Sequence, residues 1–183
     1  MNETLKTIAE RYSCRDFKDT PVTEEQIKLI VDAALAAPSA MNRQPWRLNI
    51  VMDKAIVDEL NAEAFGILAA DEDKTTYERI MSRGGKVYYD APCLIYILAD
   101  GSKWGMLDSG ILCQNITLAA QSLGLATCIV GMAGIPLGGP RGEEYKKRFK
   151  FPEGYEFAVG VLVGVPNSGK EPHELEPCRV TYI

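Results

Sequence analysis

The sequence predicts an α+β protein whose helices cover both faces of one central sheet, an α/β/α sandwich. The run 93–99, CLIYILA, has no polar alternation, which is typical of a strand buried on both faces. A predicted helix buries one face through an apolar stripe at Ile27, Ile30, Val31, Ala34 and Leu35. A second helix, over 106–123, is apolar almost all round, which is typical of a core or a subunit interface.

Length and composition favour one domain over 1–183, with a C-terminal extension at about 167–183. The chain has 183 residues, of which 46% are hydrophobic and 25% charged, enough for one core. Its net charge of −5 argues against a nucleic-acid partner. The apolar runs are shorter than the ~20 residues of a membrane helix, and the N-terminus lacks a signal-peptide pattern. We therefore expect a cytoplasmic protein without a membrane partner.

The cysteines and the single histidine, His173, favour neither a disulfide framework nor a metal site. The five cysteines are an odd count and contain no C-x-x-C pair. One histidine is too few for a His-based metal site. Cys14 lies between two arginines that would lower its pKa, but a small side chain in a tight loop explains the same residue.

Local signals place the first helices. Residues 4–11 are predicted to form a short helix with Leu5 and Ile8 on one side. Thr23-Glu24-Glu25-Gln26 is a capping box, and Val22 and Ile27 have the spacing of a hydrophobic staple. The second helix therefore begins after Thr23.

A polar loop follows this helix. Pro38 and Pro45 bracket it, so helix cannot continue past 37 and strand cannot begin before 46. Trp46 offers a large face with one N–H, and the other polar groups are Ser39, Asn42, Arg43 and Gln44. These groups suit a small polar, planar ligand, although a connector rich in turn formers explains the same pattern.

Periodicity predicts the remaining elements. The segment 70–86 is polar, helical in part, and a candidate mobile cover. Gly160 and Gly164 permit close approach of other atoms to a buried strand. The further elements are a strand at 46–52, a helix capped by Asp53, strands at 126–130 and 157–165, a helix at 141–149, and an extended tail from 167.

Two arginines and a serine cluster near the N-terminus, in Arg11-Tyr12-Ser13-Cys14-Arg15-Asp16-Phe17. Paired guanidinium N–H donors and a hydroxyl are the groups that bind phosphate. A solvated basic patch is the alternative, but clustered cations are unexpected in an acidic chain.

Five stretches together resemble the FMN-dependent nitroreductase family. They are Arg-x-Ser-x-Arg-x-Phe at 11–17, Pro-Ser-Ala-x-Asn-x-Gln-Pro-Trp at 38–46, Tyr-Tyr-Asp-Ala-Pro at 88–92, Asp-x-Gly-x-x-x-Gln-Asn at 108–115 and Cys-Ile-Val-Gly at 128–131. The resemblance covers nearly the whole chain. It implies a nitroreductase-like fold with a central mixed, mostly antiparallel sheet, and an intertwined homodimer with FMN sites at the subunit interface.

The resemblance also implies roles for individual residues. Arg11, Tyr12, Ser13 and Arg15 would hold the FMN phosphate, the ribityl chain and the pyrimidine edge. Arg15 would stabilise the negative charge of reduced flavin and raise its two-electron potential. Val130 and Gly131 would offer backbone groups near N5, and Lys170 would reach the phosphate. The second subunit would contribute Pro38, Ser39, Ala40 and Asn42.

The reaction that the resemblance implies is ping-pong. NADH or NADPH passes hydride to the flavin N5 and leaves, and a flat small-molecule acceptor such as a nitroaromatic or quinone takes its place. No catalytic side chain is required, in keeping with a sequence that has no nucleophile and base constellation. A protein that stores or senses FMN without turnover is the alternative, and relatives on the same fold perform other reductions or flavin fragmentation.

One rival motif is set aside. Residues 164–170 match G-x-x-x-x-G-K, the start of a phosphate-binding P-loop. Glu171 stands where Ser or Thr should bind magnesium, and Pro172 and Pro177 leave no room for the helix that should follow.

Overall fold

A computed structural model describes residues 1–171, 174 and 176–183. Pro172 and His173, which enter the sequence argument above, lie outside the described residues. The helices are α1 Glu3–Glu10, α2 Glu24–Leu35, α3 Lys54–Ala70, α4 Thr75–Met81, α5 Gly105–Ser122, α6 Ile135–Gly138 and α7 Gly142–Arg148, and the strands are β1 Trp46–Val51, β2 Cys93–Asp100, β3 Ala126–Val130 and β4 Tyr155–Gly164. Short 3-10 turns occur at Ala40–Asn42, Gly131–Gly134 and Pro177–Arg179.

The strands form one sheet in the order β1-β2-β4-β3. All three strand pairings are antiparallel, and β2 and β4 occupy the centre. An isolated parallel bridge joins Ser13 to Thr127 of β3. The predicted α+β class with a mostly antiparallel sheet is confirmed.

Strand β2 separates two hydrophobic cores. Its residues Leu94, Tyr96 and Leu98 face a core that includes residues of α3, α4, α6 and α7. The alternate residues Cys93, Ile95 and Ile97 face a core built with α2 and α5. Every residue from 93 to 99 is buried, because helices cover both faces of this strand.

The helix ends follow the predicted signals. Thr23 accepts a hydrogen bond from the Gln26 backbone N–H, and the Gln26 side chain accepts one from the Thr23 N–H, so the capping box is confirmed. Asp53 caps α3 through the Ala55 N–H at 2.9 Å. Helix α5 stops before Gly124, whose φ of +75° allows the chain to reverse.

None of the helices in the described residues has the length and apolar character needed to cross a membrane.

The C-terminal segment is tied back onto the N-terminal segment. The Asn167 N–H donates to the Asp16 carbonyl at 3.0 Å, and Phe17 forms a bridge with Pro166. In the described part of the tail, only the 3-10 turn Pro177–Arg179 follows Lys170. A P-loop needs a helix directly after its Lys, and residues 172 and 173 lie outside the described residues, so the rival motif is set aside on its sequence alone.

Close approach to β4 gives a stability prediction. A Cβ at Gly160 would lie 2.5 Å from the Ala133 Cβ, whereas a Cβ at Gly66, in α3, would meet no atom within 4 Å. We expect Gly160→Ala to lower the free energy of unfolding by about 1–3 kcal/mol through overpacking. Gly66→Ala should raise it by about 0.5–1 kcal/mol, because glycine is costly inside a helix.

Urea unfolding of the two variants beside the parent chain measures both changes. An unchanged free energy for Gly160→Ala would mean that the turn containing Ala133 moves away from β4 without cost.

Candidate functional site

The N-terminal cluster of cations lies along the free edge of β3. The Cys14 N–H donates to the Thr127 carbonyl at 2.9 Å, next to the Ser13–Thr127 bridge. Helix α1 ends at Glu10, and Arg11 follows in an extended conformation, so the segment leaves the helix directly onto the strand edge. This docking carries Arg15 towards the end of β3.

A cavity of about 220 Å³ opens where β3 ends. Among the sequence-predicted residues it brings together Arg15, Val130 and Gly131. The described residues that line it include four cations and no carboxylate: Arg15, Arg79, Ile80, Arg83, Lys86, Tyr89, Cys128, Ile129, Val130, Gly131 and Met132. This excess of cations among the lining residues suits an electron-rich or anionic ligand.

Three of the four cations come from the segment predicted as a mobile cover. Arg79, Arg83 and Lys86 were not among the predicted site residues, although the run RGGK stands out in the sequence. Helix α4 ends in a reversal at Gly84 and Gly85, both with positive φ, and the Gly85 N–H donates to the Ile80 carbonyl at 3.0 Å. Lys86 follows this reversal directly, and it lines the cavity together with Arg79 and Arg83, which precede the reversal.

The backbone beside the cavity adopts left-handed conformations. Tyr89 and Asp90 have φ of +52° and +58°, which is uncommon for residues with a side chain. The Arg15 guanidinium lies 6.0 Å from the Tyr89 ring centroid, and Lys86 forms an ion pair with Asp90. Strained backbone of this kind concentrates at functional sites.

Two buried tyrosines fix the turn after β3. The hydroxyls of Tyr88 and Tyr96 both donate to the Ala133 carbonyl at 3.1 Å. Burial raises the pKa of both phenols, so they remain protonated donors. The turn that presents Gly131 is thus held from the core, and a Cβ at Gly131 would meet no atom within 4 Å.

A second cavity, of about 410 Å³, lies at the other end of the N-terminal segment. It brings Tyr12 and Lys170 together with Glu10, Gly169 and Glu171. The Tyr12 hydroxyl donates to the Ser168 carbonyl at 2.9 Å, and burial raises the pKa of this hydroxyl. Tyr12 therefore anchors the tail that carries Lys170. The two cavities share none of their lining residues.

The loop containing Pro38, Ser39, Ala40 and Asn42 lies apart from both cavities, which these residues do not line. Met41, Asn42 and Gln44 have φ of about +50°: 53°, 54° and 49°. The Gln44 N–H donates to Ser39 Oγ at 2.9 Å, and the Ala40 N–H donates to the buried Asp108 carboxylate at 3.2 Å. The loop is therefore fixed, as the prolines predict.

The prediction that Trp46 offers a face to a ligand is wrong. Its side chain is only 2% exposed and belongs to the core between the sheet and helices α2 and α5. Trp46 pairs with Ala99 at the start of β1, so the strand carries the indole into the core.

The Cys14 thiol is inert rather than activated. Burial raises its pKa, and Sγ donates to the Asp16 carbonyl at 3.1 Å. The interpretation as a small side chain in a tight loop therefore holds. Burial also raises the pKa of Cys128, although the nearby Arg15 and Arg11 oppose that shift.

Thiol reactivity follows from these environments. Cys178 is exposed, whereas the other four cysteines are buried. Burial raises the pKa of Cys93 to about 12 and of Cys113 to about 11. At pH 8 these buried thiols stay protonated, and the thiolate rather than the thiol is the nucleophile.

We expect iodoacetamide at pH 8 to label Cys178 alone in the native protein and all five cysteines in guanidinium chloride. Mass spectrometry of the peptides measures this. Rapid native labelling of Cys14 would show that the N-terminal segment detaches from β3.

Helix α5 leaves an apolar face exposed. Met106, Leu107 and Ile111 are 61%, 58% and 36% exposed. With Gly110, Gln114 and Asn115 they line an open groove of about 460 Å³. A single chain thus exposes part of the helix whose apolar pattern is typical of a core or a subunit interface.

No group of three or more His, Cys, Asp or Glu side chains that could hold a metal ion occurs within the described ranges.

The sequence of this chain matches a known protein family. The model of the nitroreductase family matches residues 8–165, and the chain belongs to this family. The chain is 30% identical to an NADPH-flavin oxidoreductase of Vibrio harveyi, over 98% of this chain and 72% of the relative.

Solved structures of two similar proteins resemble this chain over its whole length. A nitroreductase with bound FMN from Desulfitobacterium hafniense DCB-2 is 48% identical, with a TM-score of 0.95 over 100% of this chain and 99% of that one. A nitroreductase with bound FMN from Bacteroides fragilis NCTC 9343 is 27% identical, with a TM-score of 0.89 over 100% of both chains.

Proposed function

We propose that the protein is an FMN-dependent oxidoreductase that takes hydride from NADH or NADPH and reduces planar electrophilic acceptors such as nitroaromatics or quinones. Membership of the nitroreductase family supports this proposal. The observation that carries it is the cavity at the end of β3, where Arg15 and the open backbone of Gly131 share one wall with Val130. This wall offers a cation and close backbone approach to one planar ligand.

The residues fit FMN in two parts. Arg11, Ser13 and Lys170 would hold the phosphate, with Tyr12 anchoring the tail that carries Lys170. Arg15, Val130 and Gly131 would hold the isoalloxazine ring at the other end of the segment. Lys86, which lines the same cavity, would add a second cation beside the ring.

Bound FMN would supply hydride transfer between the nicotinamide and the acceptor. The protein's contribution would be binding, orientation and electrostatics. The Arg15 guanidinium would place a fixed positive charge at the pyrimidine edge of the ring, and Tyr88 and Tyr96 would keep the Gly131 turn in position through Ala133. Neither role requires a side chain to exchange a proton.

The site would be completed by a second copy of the chain. The exposed apolar face of α5 is a surface of the kind that subunits bury. The fixed loop carrying Pro38, Ser39, Ala40 and Asn42 is joined to α5 through the hydrogen bond from Ala40 to Asp108. Dimerisation through α5 would therefore bring this loop to the partner's flavin.

The reaction would take place in the cytoplasm. All five cysteines are free thiols, which is the state that a reducing compartment maintains.

The visible spectrum of the FMN-supplemented protein tests the proposal. Anaerobic NADH or NADPH is expected to bleach the flavin band, and a nitroaromatic or quinone should restore it. A bound flavin that neither nicotinamide bleaches would favour storage or sensing of FMN. A protein that retains no flavin would overturn the site assignment.

A further inference from the structure

Two arginines that line the cavity at the end of β3 have no assigned role. Arg79 in α4 and Arg83 just beyond it are four residues apart, so both lie on one face of the helix and its final turn. Both are exposed and both line the cavity. In the part of the chain that the structure describes, neither guanidinium forms an ion pair, as is also true of Arg11, Arg15 and Arg47, whereas the other arginines are paired: Arg43, Arg141, Arg148 and Arg179.

Helix α4 holds these arginines in place. Ile80, between them, is 4% exposed and belongs to the core. Tyr77 packs on Phe65 of α3, with ring centroids 5.2 Å apart. Helix α4 is therefore anchored by its packing on the core, in a position where Arg79 and Arg83 line the cavity.

The position of the two arginines excludes the FMN phosphate as their ligand. The proposed phosphate residues Tyr12 and Lys170 line the second cavity, which shares no residue with the first. Arg79 and Arg83 lie instead with Val130 and Gly131, at the ring end. The isoalloxazine ring carries no phosphate, and the pyrimidine edge already has Arg15 and Lys86.

We propose that Arg79 and Arg83 form an oxyanion subsite for the molecule that exchanges electrons with the flavin. This inference rests on the proposed function. The ligand class is a planar aromatic molecule that carries a phosphate or a carboxylate, the groups that guanidinium binds through paired N–H donors. The 2′-phosphate of NADPH and the carboxylate of an aromatic acceptor are two sources of the same chemistry.

Binding of simple anions to the FMN-loaded protein tests the subsite without turnover. Isothermal titration calorimetry would compare 2′,5′-ADP with 5′-AMP, and benzoate with benzamide. The test variant is Arg79→Gln with Arg83→Gln. Lys74→Gln is the matched control, because Lys74 precedes α4, is exposed and does not line the cavity.

We expect the double variant to bind one of the two anions, 2′,5′-ADP or benzoate, roughly 10-fold to 100-fold more weakly than the parent protein. This is the effect of losing hydrogen bonds to a charged group. The affinity of the double variant for the matching compound, 5′-AMP or benzamide, should change little. The control variant should bind both anions as the parent protein does. Selective loss of 2′,5′-ADP binding would identify the 2′-phosphate of NADPH as the ligand of the subsite. The ratio of kcat/KM for NADPH over NADH should then fall by the same factor. Selective loss of benzoate would identify an anionic acceptor.

Unchanged binding of both anions would overturn the subsite. Loss of FMN from the double variant would also overturn it, since the arginines would then bind the cofactor itself. If the double variant loses one of the anions but neither nicotinamide reduces the parent protein, the anion subsite is supported and the proposed function is contradicted.

Discussion

Replacing Leu107 and Ile111 by glutamate is expected to separate the subunits and to weaken FMN binding by roughly 100-fold or more, since burying an unpaired carboxylate costs several kcal/mol. The two residues are 58% and 36% exposed in the single chain and lie one helical turn apart on α5. The substitution therefore leaves the fold of each chain intact. The flavin site would lose the partner's loop at Pro38, Ser39, Ala40 and Asn42.

Sedimentation velocity measures the mass against the 20.1 kDa of one chain, and FMN fluorescence measures the affinity. Met52→Glu is the control, because Met52 is 38% exposed but follows β1 rather than lying on α5. A double variant that stays dimeric would place the interface elsewhere. A monomer that binds FMN normally would contradict the proposal that the site is shared.

Replacing Arg15 by glutamine is expected to slow flavin reduction by NADH or NADPH by on the order of 100-fold, the cost of removing one fixed group that stabilises developing charge. The midpoint potential of bound FMN should fall by roughly 30–60 mV, because hydrogen bonds to charged groups are worth about 1.5–3 kcal/mol and 30 mV is about 1.4 kcal/mol for two electrons. Arg15 has no ion-pair partner among the described residues, so its whole charge is available to a ligand.

Stopped-flow reduction and a redox titration with a reference dye measure the rate and the potential. Arg15→Lys keeps the charge and should recover most of the potential. Arg47→Gln is a matched control, since Arg47 lies over Tyr155 at 5.1 Å and does not line the cavity. An unchanged potential in Arg15→Gln would show that another cation, such as Lys86, faces the pyrimidine edge.

Most of the fold could be predicted because its signals are local. The apolar run 93–99 becomes Cys93–Asp100, and the helix expected at 106–123 becomes Gly105–Ser122. Capping residues and apolar spacing act within a few positions, so one sequence is enough to read them. The two glycines of β4 could also be interpreted, since a buried strand tolerates glycine only where another group comes close.

The site was harder to predict because its parts meet only in three dimensions. Arg79 and Arg83 come to the cavity of Arg15 through the packing of α4 on the core. No spacing in the sequence encodes that meeting. Trp46 shows the converse, since its local context favours a ligand face and strand pairing buries it. The assignments to FMN all stay predictions: Arg11, Tyr12, Ser13, Arg15, Pro38, Ser39, Ala40, Asn42, Val130, Gly131 and Lys170.

The segment that carries Arg11, Ser13 and Arg15 also closes an edge of the sheet. Strand β3 is the outer strand on its side, and Cys14 and Ser13 pair with it at Thr127. Its outer residue Ile129 is 44% exposed, so an uncovered β3 would offer an apolar strand edge to other molecules. Any change that detaches this segment would therefore promote aggregation by intermolecular strand pairing. A ligand that holds the segment in place would protect the protein against this aggregation.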